Sequence, residues 1–315
     1  RVLVTGASGF LGSHLARRLV AGGHEVVALA RPGSGLEHLK DLPVRRAEGD
    51  LSDEASLARA AEGCEAVFHA AAALGFREGL EALMQEANVL GTRRVCRAAL
   101  RAGVRRLVHI SSVAAIGIGR DGEPADEGTV FAAEAARTAY ARTKHAAELE
   151  VLEALEDGLD AVTVNPGVIF GIRPNKHHTM NLLETLAAGR LPAYPTGGTC
   201  WVWVEDVVNG LLLAWEKGQR GRRYILGGDN LPYRDFMRAV CHLAGSRPPL
   251  LPVPGPLLRL GARLLGRRSP ISEEAARLSS RHLYYDSGLA RRELGWRPTP
   301  LEEAVRACLA ARRDA

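Results

Sequence analysis

The sequence predicts an α/β protein in which a doubly wound parallel sheet is followed by a smaller C-terminal α/β lobe. Three observations lead there. Short apolar runs alternate with longer helical patterns through the first half, as in a parallel sheet covered on both faces. The length of 315 residues is more than one hydrophobic core comfortably holds. Beyond about Pro166 the alternation loosens. The expected division is residues 1–170 for the sheet domain and 171–315 for the lobe, with late sheet elements interleaved in the second part.

Taken in order, the strands expected are Val2–Thr5, Glu25–Ala30, Val44–Glu48, Ala66–His69, Leu107–Ser111 and Ala161–Asn165. Helical periodicity fills the gaps at Leu11–Ala21, Glu54–Ala61, Met84–Ala102 and Ala139–Glu156. Right-handed crossovers should join them. Later, Pro, Gly and Trp cluster between Arg190 and Trp203, and Val202–Val204 reads as a late strand of the sheet. Pro248–Pro256 reads as a proline-rich connector. Leu294-Gly295-Trp296-Arg297-Pro298 closes one helix and leads into an amphipathic segment, Leu301–Arg312.

Composition removes several function classes. The 41 basic residues are interleaved with 36 acidic ones and aromatics are only 5%, so base-stacking platforms are scarce and nucleic acid is not an expected partner. No apolar run approaches the roughly 18 residues needed to cross a bilayer, so no membrane partner is expected either. Because the chain opens directly on a strand, the reading leaves no room for a signal peptide and expects a cytoplasmic protein. Cys64, Cys96, Cys200, Cys241 and Cys308 are far apart with no CxxC, which fits reduced thiols rather than a disulfide or zinc framework. His177-His178 lack nearby Cys or carboxylate partners, so no metal is expected. An ordinary loop that orders around substrate is the expected reading of Arg173–Asn181.

Between the first strand and first helix stands Gly6-Ala7-Ser8-Gly9-Phe10-Leu11-Gly12. Strand–turn–helix context gives this loose glycine pattern its meaning, a Rossmann-type dinucleotide loop rather than a ligand-free turn. Gly6 permits the tight turn, Gly9 the close approach of backbone to a pyrophosphate, and Gly12 close packing of helix on strand. Ser8, Phe10 and Leu11 complete the loop. After the second strand, NAD-specific proteins usually place an acid against the ribose hydroxyls, but this chain has Arg31-Pro32. Arg31 can pair with a 2′-phosphate, which points to NADP with NAD as the alternative, although it also fits a solvated surface Arg. Asp50-Leu51 could place a carboxylate near the adenine amino group.

Tyr140 precedes Lys144 by four residues in a chain with four lysines and 37 arginines. On a helix that spacing puts phenol and ammonium on one face. An adjacent cation pulls a phenol pKa down from about 10, which would let Tyr140 exchange protons near neutral pH. The same spacing also fits a solvated helix face.

Together these residues resemble the extended short-chain dehydrogenase/reductase family. The motifs follow in the family's order: TGASGFLG at Thr5–Gly12, Gly49-Asp50-Leu51, His69-Ala70-Ala71-Ala72, Asn88-Val89-Leu90-Gly91-Thr92, Ser111-Ser112-Val113-Ala114, Tyr140-Ala141-Arg142-Thr143-Lys144 and Asn165-Pro166-Gly167. Tyr285-Asp286-Ser287 through Trp296 extends the likeness almost to the end. It is most similar to the dihydroflavonol-reductase-like and NAD-dependent epimerase/dehydratase branch.

The resemblance implies that Tyr140 transfers a proton to or from the substrate oxygen while Lys144 tunes it and holds the nicotinamide ribose. Ser112, rather than Ser111, would donate to the developing alkoxide. Asn88 would order a relay water or the local backbone; a plain buried Asn fits equally. Ala70, Ala71 and Ala72 would form a small-residue wall for the cofactor, and Pro166 to Val168 would line the nicotinamide. A homodimer through the two long helices is also implied by the resemblance alone.

Departures from the family narrow the reaction. Val113-Ala114 follows Ser112 where sugar-nucleotide dehydratases usually carry Asp-Glu. The stretch Thr199–Asp206 lacks the Arg with which epimerases often grip a pyrophosphate, though Arg173, Arg277 or Arg281 could compensate. Trp201 and Trp203 read as packing residues or pocket walls. The leading expectation is NADP-dependent reduction of a small-molecule ketone or aldehyde, or oxidation of the alcohol. A nucleotide-sugar epimerase with tightly bound NAD is the alternative. A non-catalytic NADP-sensing regulator is a third reading, against which the Tyr/Lys pair argues.

Overall fold

Seven strands form one all-parallel sheet in the computed structural model, which describes all residues except 75–78, 120–122, 173–177, 267–272 and 314–315. In chain order the first elements are β1 (Val2–Thr5), α1 (Phe10–Ala21), β2 (Val26–Ala30), β3 (Arg45–Glu48), α2 (Glu54–Ala61) and β4 (Ala66–His69). Then come α3 (Glu81–Met84), a π-helical turn (Gln85–Leu90), α4 (Gly91–Arg101), β5 (Arg106–Ile110), α5 (Ala139–Glu156) and β6 (Ala161–Pro166). These six strands fall within a residue or two of the sequence expectation. Alternate side chains feed two cores, one on each face. Val2, Val4, Val26 and Ala28 pack toward α1, whereas Leu3, Val27 and Leu29 join Leu57, Val95 and Val151 on the other face. Burial on both faces explains why β1, β2, β4, β5 and β6 read as mostly apolar runs, whereas β3 at the sheet edge is Arg-Arg-Ala-Glu and largely exposed.

The second half contains β7 (Val168–Phe170), α6 (His178–Ala187), β8 (Ala193–Pro195), β9 (Gly198–Trp203), α7 (Val204–Lys217), β10 (Arg223–Leu226) and β11 (Asp229–Pro232). It ends with α8 (Tyr233–Ala244), β12 (Leu251–Val253), α9 (Gly255–Leu265), α10 (Glu273–Leu278), β13 (His282–Leu283) and α11 (Leu301–Arg313). The seventh strand of the large sheet is β10, giving the order β10-β6-β5-β4-β1-β2-β3. The expected late strand at Val202–Val204 is placed differently. Gly198–Trp203 belongs to a second sheet with β7, β11 and β13, and Val204 already starts α7, whose first turn carries Glu205 and Asp206, favourable at the positive helix end.

Trp201 stacks on Phe236 at 3.7 Å in the core of the smaller lobe, which bears out its packing role. Trp296 is buried and donates from Nε1 to the Asp206 carbonyl at 2.9 Å. Asp206 also accepts from the Thr299 amide and hydroxyl, each at 2.8 Å, so the Gly-Trp-Arg-Pro stretch clamps the chain end onto α7.

A polar row crosses the middle of the large sheet. Thr5, His69, His109 and Thr163 are register partners on adjacent strands. His69 bonds Thr5 Oγ1 at 2.7 Å and Thr92 Oγ1 at 3.0 Å, and burial lowers its pKa to about 3. His109 is buried with both ring nitrogens unpartnered, and its pKa is pushed well down by burial, then by the Lys144 charge. A depressed His pKa means that the unfolded chain binds more protons as pH falls below 6.5, so stability declines from there toward pH 3. Because an unpartnered buried polar ring is costly, His109→Leu should leave stability unchanged or raise it by about 1 kcal/mol at pH 7. Its gain over the parent should widen at pH 5; urea unfolding midpoints at the two pH values check this.

Candidate active site

The sheet order reverses direction between β1 and β4, and open α/β sheets bind ligands at the carboxyl ends of the strands at such a point. Gly6 leaves β1 with φ +72°, and a Cβ there would lie 2.7 Å from the Ala71 amide nitrogen. Only glycine lets the Ala70–Ala71 backbone approach so closely. Ala70 and Ala71 are partly buried and Ala72 is exposed, while Thr5 accepts from the amides of Ala70 and Ala71 through its carbonyl and hydroxyl. A Cβ on Gly12 would fall 2.1 Å from the Gly6 carbonyl oxygen, so the glycine sets how closely α1 meets the loop. Exposed Gly9 caps α1 without a side-chain bond, and the first turn holds no acid. The helix end therefore keeps its positive dipole for an anion. Ser8 and Leu11 are partly buried, and Phe10 packs edge-on against His14. This cradle fits the pyrophosphate of a dinucleotide.

On the adenosine side, Arg31 follows β2 and is exposed. Its carbonyl accepts from Ser34 Oγ at 2.7 Å and from Arg46 Nη2 at 3.1 Å, and Arg46 Nη1 donates to the Ser34 carbonyl at 2.9 Å. Two arginines thus flank a turn with no carboxylate of its own. Asp50 takes bonds from the Ser52 hydroxyl and amide at 2.7 and 2.9 Å. Those bonds, then the Arg31 and Arg94 charges, hold its carboxyl below the usual range. Leu51 packs where a Cβ on Gly91 would intrude and accepts from Arg94 Nη1 at 3.2 Å.

Ser112, Tyr140 and Lys144 are brought together at the end of β5. Thr138 caps α5 by accepting the Ala141 amide at 3.0 Å, which sets Tyr140 and Lys144 one turn apart in the first two turns. The Ser112 hydroxyl bonds the Tyr140 phenol, while its oxygen accepts the Ala114 amide at 3.2 Å. Ser111, by contrast, is buried with its hydroxyl unpartnered, so Ser112 is the one presented to the tyrosine. Lys144 is 2% exposed, and its Nζ donates to the Ile110 carbonyl at 2.8 Å.

Burial lowers the Lys144 ammonium to about 8 against an opposing pull from Glu148. The Tyr140 phenol is raised by burial, with the Ser112 bond pulling the other way. The direction is opposite to the sequence expectation. Nζ is committed to a backbone carbonyl, and desolvation outweighs what acts on the phenolate.

Asn88 is 1% exposed in the π-helical turn. Its Oδ1 accepts the Ala73 amide at 2.7 Å, and its Nδ2 donates to the Ala73 carbonyl at 3.0 Å and Thr143 Oγ1 at 3.1 Å. The side chain ties the loop after β4 to α5 beside the tyrosine. Such turns carry an extra residue inside a helix, often at functional positions. Pro166 is buried at the end of β6, and Val168 opens β7 opposite Trp201. Arg173 and His177 lie outside the described residues, as does the side chain of His178. Arg281 is paired with Glu134.

Sequence reasoning missed the network beneath this cluster. Glu148, one turn beyond Lys144, is buried; its Oε1 accepts Asn165 Nδ2 at 2.6 Å and its Oε2 lies 3.3 Å from Arg223 Nη1. Asn165 also donates to the Ser112 carbonyl at 2.9 Å. Arg223 reaches on to the Glu127 carbonyl at 2.6 Å. The i, i+4 spacing of Lys144 and Glu148 was the available signal.

Among the described residues no cluster of three or more His, Cys, Asp or Glu could hold a metal, and no helix is long and apolar enough to cross a membrane. The model of the NAD dependent epimerase/dehydratase family matches residues 2–227. The chain belongs to that family. Members near it include a Synechocystis sp. protein named as a dihydroflavonol 4-reductase, 35% identical over 96% of this chain and 91% of the relative. Sterol demethylase protein B of Methylococcus capsulatus is 38% identical over 96% of this chain and 95% of its own. Among solved structures, gox2253 superposes with a TM-score of 0.88 at 38% identity, covering 99% of this chain and 98% of that one. The family's NAD(P)-dependent oxidoreductases and epimerases make this chain an enzyme of that group, and its parallel sheet is the family's Rossmann-like architecture.

Proposed function

We propose that this family member is an NADP-dependent oxidoreductase that reduces a ketone or aldehyde on an apolar ring-containing molecule. The carrying observation is the convergence of the Ser112 hydroxyl, bonded to the Tyr140 phenol, with Lys144 one turn along α5. The neutral phenol would give up its proton in carbonyl reduction and regain it in the reverse alcohol oxidation. Ser112 and Tyr140 would together hold the substrate oxygen, and Tyr140 would release its proton as negative charge develops there. Lys144 would hold the nicotinamide ribose through Nζ. A nicotinamide cofactor, when bound, would supply the hydride. Residues 1–170 would bind the cofactor and residues 171–315 the substrate, with α7 and β10 returning to the large sheet. The names of the reductase and sterol relatives support an apolar ring carbonyl.

The reading is tested by incubating the full chain with NADPH and a panel of steroid and flavonoid ketones while following NADPH fluorescence. Net oxidation that depends on the ketone is expected. Cofactor retained through purification, with sugar-nucleotide turnover and no net change in NADPH, would replace it with the epimerase reading. The Arg31–Ser34 turn supports NADP: Arg31→Ala should weaken NADP binding about tenfold, or roughly 1.4 kcal/mol, and leave NAD within about twofold. Titration of both cofactors decides; tighter NAD binding by the unaltered chain would end the NADP assignment.

A further inference from the structure

We propose that α9 is a membrane-surface helix whose outward face docks on an anionic lipid bilayer. The helix packs on α10 through a seam that buries Gly255 and Ala262 and half-covers Leu258. Opposite that seam, Leu257, Leu260 and Leu264 fall within about 60° of one another around the helix axis. They are 59%, 53% and 77% exposed, and Leu265 beside them is 54% exposed. A solvated helix carries charge on that face; here Arg259 and Arg263 stand on one flank of an apolar pole. Just upstream, Leu250 and Leu251 are 72% and 62% exposed. Six of the eleven large apolar side chains found exposed among the described residues therefore belong to the short stretch Leu250–Leu265. Concentration of that kind marks an interaction surface.

Charge selects the occupant. From Arg247 to Ser272 the sequence carries five arginines and no Asp or Glu. The first acid beyond it, Glu273 on α10, lies 3.8 Å from Arg259. A second copy would bring a second arginine-rich, acid-free stretch of the same sign, whereas lipid phosphates supply the opposite charge. Leucines on one face with arginines beside them is the pattern of a helix lying in the bilayer interface. At about 16 Å the helix is far too short to span. Run length, the criterion that excluded a spanning segment, is blind to such a surface helix. With an apolar substrate, docking would set the C-terminal lobe against the phase in which that substrate dissolves.

The test is co-sedimentation of the full chain with vesicles of phosphatidylcholine, alone or mixed with phosphatidylglycerol, alongside sedimentation equilibrium of the chain by itself. Partition onto the mixed vesicles, reduced by raised salt, is expected. L260E/L264E should weaken it about tenfold or more with an unchanged circular dichroism spectrum, since both side chains are exposed. No partition onto either vesicle, equal partition of the variant, or indifference to phosphatidylglycerol overturns the proposal. So does self-association that the double variant abolishes without any vesicle binding, which would assign the face to a second copy.

Discussion

Tyr140→Phe is expected to lower kcat/KM for carbonyl reduction by about 10³-fold, or roughly 4 kcal/mol of transition-state stabilisation. The substitution removes one oxygen, which accepts the Ser112 bond and lies one helical turn from Lys144. Without it no acidic proton faces the substrate oxygen, and the alkoxide would have to take one from water. NADP affinity should stay within about twofold, because the glycine loop is built by β1 and α1. Stability at pH 7 should change by no more than about 1 kcal/mol, since the phenol is neutral there whether folded or unfolded and only its bond with Ser112 is lost. Steady-state kinetics with a confirmed ketone, cofactor titration and urea unfolding on one preparation separate these effects. Turnover within about tenfold of the parent would remove Tyr140 from proton transfer.

How far the sequence reaches depends on what each residue answers to. Strands β1, β2, β4, β5 and β6 were legible because they are largely buried on both faces, so each is a mostly apolar run bounded by glycine or a charged turn. The exposed edge strand β3, Arg45–Glu48, was legible mainly from its place in the alternation of strands and helices. The glycine loop was legible because Gly12 answers to the Gly6 carbonyl within the same strand–turn–helix unit, and the positive φ of Gly6 belongs to that turn, although the backbone it makes room for, Ala70–Ala71, comes from the end of β4. Strand β10 was not, since its four residues Arg223–Leu226 open with an arginine that reads as a solvated turn until α5 and Glu127 are placed beside it. The π-helical turn hides for a different reason. Its extra residue is absorbed within a helix that stays periodic on either side, so only the inward amide of Asn88 betrays it. Direction of the Tyr140 shift was also out of reach: the i, i+4 rule gives proximity of ammonium and phenol, while the Ile110 carbonyl that takes Lys144 Nζ comes from a strand 34 residues earlier. Exposed leucines on α9 look in sequence like an ordinary amphipathic face. Which side is covered is settled by α10.

Glu148 carries the second large expected effect, and its charge and its shape can be tested apart. The carboxylate does two jobs. One oxygen holds Asn165, which in turn holds the Ser112 carbonyl; the other faces Arg223, and the charge as a whole keeps Lys144 protonated against burial. Glu148→Gln keeps an acceptor for Asn165 and discards the charge. The Lys144 pKa should then drop below its present value of about 8, because desolvation is left unopposed. If Lys144 acts as a cation, activity is present below its pKa and lost as pH rises through it, so the alkaline limb of the kcat/KM profile should move to lower pH. A merely structural glutamate would leave that limb in place and lower kcat/KM evenly at all pH values. Glu148→Ala removes the acceptor as well and strands Arg223 beside a cavity. Breaking a buried pair costs about 3–5 kcal/mol, and the partly exposed Arg223 side chain places this one near about 3 kcal/mol. Urea midpoints should therefore rank the parent first, Gln second and Ala last, while the pH limb moves in Gln with most of the stability still present. An unmoved limb in Glu148→Gln would leave Glu148 as a packing and hydrogen-bonding residue with no hold on Lys144.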